Sequence, residues 1–490
     1  MIRSVLALVS ALQSAPPPPP PPPPAMRAMV APRIHMSHRS FHVRGTHLHM
    51  DHDLRSGDGP DSAAVAAFLS ALAGAAQPVC GMAVAVLGNG WEGSGVRSGV
   101  SALRDEPAEL RTQRQALQSS VEDRRAVPLL TASLAKAEPC VRRAAAQLLG
   151  GSELPEASRA LREALRSSDA RVREAAALGL GTMQDPASYD ALVQALGDAD
   201  AEVIRMTAWA LGELEDARAI VPLGRLADHA NAGVRKAAAL ALGQIEDRRA
   251  AKLLVPLLRD RDAGVREAAA TALGEIEDSD ATTALIQVLS DREAMVRLAA
   301  VEALGSIQDS KAVGPVSERL TDQSADVREA AAEALGSIEN AAAAVPALIK
   351  ALQDQEAGVR VAAASALGQI QNPSAADALG RALVDPVIEV RHEAASSLGK
   401  LEELHHAPAG LVAALKDHDQ ELRKRAAEAL GAIADPATIS ALAGALNDES
   451  VEVRREAVSS LGQIEDDAVT PHLVAAMKDP DTEVVYIELV

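Results

Sequence analysis

Apolar and small residues recur along this chain with the spacing of one helix face. In residues 262–278, DAGVREAAATALGEIED, they fall at Val265, Ala268, Ala269, Ala272, Leu273 and Ile276. That i, i+3, i+4, i+7 order lines one side of an α-helix. Asp262 stands three residues ahead of Val265, where a carboxylate can accept the free N–H groups of a first turn. Gly274 comes late in the pattern, where a missing Cβ permits a close contact or loosens the final turn. A shorter apolar stretch, residues 281–290 (ATTALIQVLS), lies between the turn signals Asp278 and Asp291. The pattern therefore predicts two short helices per unit.

The unit repeats. The Val265 position returns at Val141, Val172, Val203, Val234, Val296, Val327, Val359, Val390, Leu422, Val453 and Val484, and more faintly at Val79 and Leu110. The step is 31 residues, except for two steps of 32, from Val327 to Val359 and from Val390 to Leu422. A fixed period in this range marks a solenoid. Neither helix of a pair can bury its stripe alone, so the units must stack. The expected fold is an all-α solenoid, a right-handed αα-superhelix of about fourteen helix pairs. Pro256 sits inside a first helix and should bend it.

These residues resemble the HEAT-like repeats of the phycobilisome-lyase type over residues 62–490. The D-x5-R device of that family stands at Asp260/Arg266, Asp291/Arg297, Asp322/Arg328, Asp354/Arg360, Asp385/Arg391, Asp417/Arg423 and Asp448/Arg454, while Ile204 and Val485 depart from it. The resemblance implies a hydrogen-bonded Asp–Arg ladder between neighbours, and a concave side lined by the second helices. It also implies a protein-interaction scaffold, with a catalytic relative, either a bilin lyase-type cofactor handler or a His–Glu iron hydroxylase, as the alternative.

Domain organisation follows from where the repeat weakens. Residues 1–24 join a weak signal-like apolar run to nine prolines, a stiff polyproline spacer. Residues 25–61 hold six of the twelve histidines among arginines, which reads as a solvated linker over a metal tract, since no cysteine or fixed turn organises the imidazoles. Residues 62–125 read as degenerate repeats; the uncharged run 62–91 suggests a membrane helix, but it keeps the repeat phase. Residues 126–490 form the regular array, which stops inside a second helix, as a truncated array would. Cys80 and Cys140, two repeats apart, are expected to be small fillers too far apart to bridge.

Charge and chemistry narrow the function. A net charge of −20 repels phosphate backbones and argues against nucleic acid as partner. A membrane is an expected partner only through an N-terminal signal or anchor, and composition leaves cytoplasm and cell envelope equally open. The motifs HExxH, GxxxxGK[ST], CxxC and GxSxG are missing from the sequence. His392-Glu393 looks like one His–Glu dyad of deoxyhypusine hydroxylase, an iron enzyme, but that family needs several dyads and this sequence has one. No catalytic residue, metal or cofactor is expected.

Binding residues are expected where the units differ. Positions two and six residues after the repeated Val share one helix face. They carry Arg205 and Trp209, then Lys236 and Leu240, with Leu178 at the sixth position of the preceding unit. Leu178, Trp209 and Leu240 make an apolar strip, flanked by Arg205 and Lys236, for an acidic peptide or protein with an apolar anchor. Glu302, Glu333, His392 and Glu393 are weaker candidates on the same face.

Overall fold

The computed structural model describes residues 124–481 and positions 65, 66, 69, 70, 72, 73 and 484. Every regular element among them is helical. The spacer, the histidine tract, Cys80 and most of the degenerate repeats lie outside the described residues. The chain divides into two units, Met1–Met183 and Gln184–Val490.

The first unit holds α1 (Ala126–Ser133), α2 (Pro139–Gly150), α3 (Pro155–Ala164) and α4 (Ala170–Met183). Pro139 and Pro155 open α2 and α3, where a fixed φ is pre-set and no N–H is needed. Helices α2 and α4 pack on each other, and each rests on its own first helix. Leu130, Leu149, Leu161 and Leu180 are fully buried between them. Cys140 departs from expectation: it is disulfide-bonded, so the separation counted from the repeat spacing does not hold for it.

The second unit continues the alternation. Its first helices are α5 (Tyr189–Ala195), α7 (Ile220–Gly224), α9 (Arg248–Leu254), α11 (Thr282–Val288), α13 (Val313–Arg319), α15 (Val345–Ala351), α17 (Ala376–Ala382), α19 (Ala409–Ala414), α21 (Ile439–Ala445) and α23 (Thr470–Ala476). Its second helices are α6 (Ala201–Glu213), α8 (Ala232–Gln244), α10 (Ala263–Ile276), α12 (Ala294–Ile307), α14 (Ala325–Ser337), α16 (Ala357–Ile370), α18 (Ile388–Gly399), α20 (Gln420–Ile433) and α22 (Val451–Gln463). Second helices pack directly on one another, and each also packs on its own first helix. The array is an all-α solenoid. Pro256 acts as expected: α9 ends at Leu254 and passes into a 3-10 turn, Val255–Arg259.

One core motif is copied along this unit. Val265 and Leu273 of α10, and Leu285 of α11, are all 0% exposed, and their counterparts from Val203, Leu211 and Leu223 through Val453, Leu461 and Leu442 are equally buried. Burying a leucine contributes about 1.5–3 kcal/mol, so the stack is held mainly by these stripes. Gly274 is a close-contact glycine: a Cβ there would lie 2.8 Å from Ala303 Cα on the next second helix. Gly243 meets Ala272, and Gly336 meets Ala366, in the same way. Helix ends follow another rule. Glu277, Gln308, Gln371 and Ala434 close their helices with φ between 53° and 58°, the left-handed region usually given to glycine. The next residue but one in chain order opens a 3-10 turn whose start is capped by Asp or Asn; Asp278, for example, accepts from Asp280 N–H.

The Asp–Arg ladder exists, and it runs forward. Arg266 donates through Nη1 to the carbonyl of Asp260 in its own unit, at 2.8 Å. Its Nε–Nη2 edge grips Asp291 of the next unit, at 2.7 and 2.9 Å. The same forward rung joins Arg235 to Asp260, Arg297 to Asp322, Arg328 to Asp354, Arg360 to Asp385, Arg423 to Asp448 and Arg454 to Asp479. Each Asp also accepts a backbone N–H two residues on, as Asp260 does from Asp262 at 2.8 Å. At the Ile204 departure both halves change: His229 takes the Asp place, and its Nδ1 accepts Asn231 N–H at 3.1 Å. Arg391 breaks the pattern, because Asp417 does not meet its guanidinium edge.

Candidate interaction surface

Each second helix keeps one side out of the core. In α10 that side carries Gly264, Glu267, Thr271 and Glu275, with Thr271 and Glu275 exposed, while Val265, Ala268, Ala269 and Ala272 are buried. Because α6, α8 and α10 pack side by side, these outward positions form rows that run across units.

The sequence-predicted residues fall on these rows with one exception. Trp209 and Leu240 are half-buried on α6 and α8, and Arg205 and Lys236 stand half-buried one turn earlier. Leu178 belongs to α4 of the first unit and is 4% exposed, so it offers little surface. Glu302 and Glu333 are exposed on α12 and α14.

The rows are tied by polar contacts between units. Arg205 forms an ion pair with Glu202 in its own helix. Lys236 Nζ lies 3.3 Å from Glu267 of the next unit. Gln244 Nε2 donates to Glu213 Oε1 at 2.8 Å, one turn along α6 from Trp209. Burial pushes the Glu213 carboxyl above the usual range, and the amide donors Gln244 and Gln184 offset part of that push. Trp209 is thus a large aromatic, half in solvent, one turn before a carboxylate that is bonded across to the next unit. Sequence reasoning missed Glu213 and Gln244, although both lie on the same face, ten residues after the repeated Val.

His392 is not a plain surface residue. Its Nε2 lies 2.7 Å from Asp419 Oδ1 on the next unit, with the side chain 23% exposed. Ser397 Oγ lies 3.5 Å from Glu393 Oε1. Among the described residues no group of three or more His, Cys, Asp or Glu side chains is gathered as a metal centre requires. No helix among them is long and apolar enough to cross a membrane.

Comparison with known proteins agrees with this architecture. The profile described as HEAT repeats matches residues 126–208, 189–274, 251–336, 313–399 and 408–489. No curated protein matches the chain in sequence. Among solved structures, importin beta is similar at 16% identity and a TM-score of 0.54, over 78% of this chain and 61% of that one. Kap95p, in a structure describing its binding to RanGDP, is similar at 15% identity and a TM-score of 0.52, over 81% of this chain and 62% of that one. This chain therefore covers about three fifths of either protein's length. The CpcE–CpcF complex of phycocyanin lyase from Nostoc sp. PCC7120 is similar at 26% identity and a TM-score of 0.29, over 50% of this chain and 88% of that one. With a helix-pair core copied unit by unit and the HEAT profile matched over most of its length, the chain belongs to the family of HEAT-repeat proteins.

Proposed function

We propose that the protein is a non-enzymatic scaffold that holds a peptide or protein along the outward rows of its second helices. Trp209 and Leu240 are the apolar anchors, with Arg205 and Lys236 beside them. The observation that carries this reading is the placement of Trp209: a large aromatic, half in solvent, on the outward side of α6 with half-buried Leu240 at the same place on α8. A tryptophan offers a large contact area with few rotatable bonds and so loses little freedom on binding, as a hot spot requires. Arg205 and Lys236 already pair with Glu202 and Glu267, so they steer an acidic partner more than they grip it. A HEAT solenoid suits this use, as Kap95p does in binding RanGDP. His392 is engaged by Asp419, so the iron-hydroxylase alternative draws no support from it.

Site-specific photo-cross-linking in the full chain tests the reading. A cross-linker at Thr271, exposed on a second helix, should trap a protein partner. One at Gln287, exposed on a first helix, should not. Trp209→Ala should weaken capture by about 2–4 kcal/mol, whereas Glu428→Ala, at an exposed position further along, should leave it intact. Equal trapping at both positions would refute the placement.

A further inference from the structure

We infer that the junction between α18 and α20 is a carboxylate-binding site anchored by the Nε–Nη2 edge of Arg391. In the seven intact rungs that edge holds an aspartate at 2.6–3.1 Å. At Arg391 only the inward half of the arrangement survives: Nη1 donates to the Asp385 carbonyl at 2.8 Å. Nε is buried and finds no hydrogen-bond partner among the described residues. A buried, unmatched donor on a charged group is costly to leave so.

A 32-residue step does not explain the gap. Arg328 and Asp354 span the other such step, 26 residues apart, and their rung is closed at 2.7 Å. The difference lies in the first layer. Helix α19 starts after Pro408, without the 3-10 turn that leads into most first helices of this unit, and sits so close to α17 that a Cβ on Gly410 would lie 2.3 Å from the Gly380 carbonyl. Asp419, instead of Asp417, contacts α18, through His392. Between Arg391 and the loop of Asp417 lies an open cavity of about 590 Å³, lined also by Leu383, Val384 and His418.

The chemistry of the occupant is written in the other rungs. A planar carboxylate meets the guanidinium edge with two parallel bonds. Neighbouring acids are largely committed: Asp385 is gripped by Arg360 at 2.7 and 2.9 Å, and Asp419 accepts from Leu422 N–H as well as contacting His392. Asp417 Oδ1 accepts Asp419 N–H at 2.9 Å, and its charge disfavours a doubly charged phosphate more than a single carboxylate. Val384, 82% exposed beside buried Leu383, gives the carbon chain of an acidic side chain or small organic acid an apolar wall. The site is separate from Trp209 and stands or falls independently of the scaffold reading.

Phenylglyoxal labelling of the full chain, mapped by mass spectrometry, tests it. Arg391 should label at least roughly tenfold faster than Arg360 and Arg423, whose edges are filled by carboxylates. Glutarate and a capped peptide with one central glutamate should each be titrated as protectants. Protection at lower concentration by the peptide assigns the carboxylate to a protein partner, and protection by glutarate alone assigns it to a free acid. Asp417→Asn should lower the concentration needed for half-protection. The proposal is overturned if neither carboxylate protects Arg391. It is equally overturned if Arg391 resists labelling in the native chain and reacts only in Asp417→Asn, because Asp417 then fills the edge itself.

Discussion

Removing one closed rung should cost far more than removing the open one. Arg297 holds Asp322 through Nε at 2.8 Å and Nη2 at 2.6 Å, and its Nη1 donates to the Asp291 carbonyl at 2.9 Å. The two side chains are 13% and 4% exposed. Arg297→Ala would strand the Asp322 carboxylate with only Ser324 N–H at 2.9 Å and Arg319 at 3.9 Å as named support. Breaking a buried pair from one side costs about 3–5 kcal/mol; Arg319 offsets part, leaving about 2–4 kcal/mol. Arg391→Ala loses one side chain–carbonyl bond and should cost about 1 kcal/mol. Urea unfolding followed by far-UV circular dichroism reads the difference. Hydrogen exchange in α12 and α14 localises it, which matters because repeat arrays do not always unfold in two states. Acid supplies a second arm. Burial pushes Asp322 up, but Arg297 and the Ser324 N–H outweigh it, so the carboxyl lies below its ordinary value. A depressed carboxyl adds stability that is complete above the unfolded value of about 3.9 and lost as pH falls through the folded one. The gap between native protein and Arg297→Ala should thus narrow below about pH 4. Equal losses for the two arginines, or a gap indifferent to acid, would refute the ladder energetics.

Further outcomes follow from four single positions. Gly274→Ala should destabilise by about 1–3 kcal/mol, because the new methyl meets the Ala303 backbone; Gly444→Ala, with nothing within 4 Å, should stabilise by about 0.5–1 kcal/mol, both read from urea midpoints. Ala434→Gly should raise the melting temperature, since φ of 54° costs alanine about 1–2 kcal/mol and glycine almost none, less the entropy glycine adds to the unfolded chain. Glu213→Gln should stabilise at neutral pH by about 1 kcal/mol or less, since burial raises that carboxyl. A raised folded pKa means the native glutamate is penalised at high pH, so the gain should vanish as acid protonates it. A gain that persists in acid would place its origin elsewhere.

The repeat was legible because period, core and caps agree in every unit: Val265, Leu273 and Asp262 each do in space what their spacing implies. The direction of the ladder was not. Asp260 and Arg266 are neighbours in the motif, yet the side-chain pair forms between Arg266 and Asp291, since the guanidinium reaches across to the next turn. Gly274 left two readings open, and only the distance to Ala303 separates them. The left-handed residues were invisible because Glu277, Gln308 and Ala434 share no side-chain signal; the turn imposes their conformation. The open rung was hidden for a stronger reason. Asp385, Arg391, Asp417 and Arg423 keep the motif intact, and the gap arises from how α19 seats on Gly380. Burial of Leu178 depends on packing around α4 that the periodicity of one helix does not encode.

The forward rung also bears on how such a chain changes over generations. At each of the seven closed rungs a unit presents an arginine edge to its successor, which answers with an aspartate 25 or 26 residues on. Like a plug and a socket of fixed gauge, these fit any neighbour of the same pattern. A gene that duplicates or drops one whole unit of this pattern keeps those junctions matched. The number of units can therefore drift while the outward residues diverge one by one. An insertion of a few residues within a unit has no such freedom, because it must carry the aspartate back to the waiting arginine.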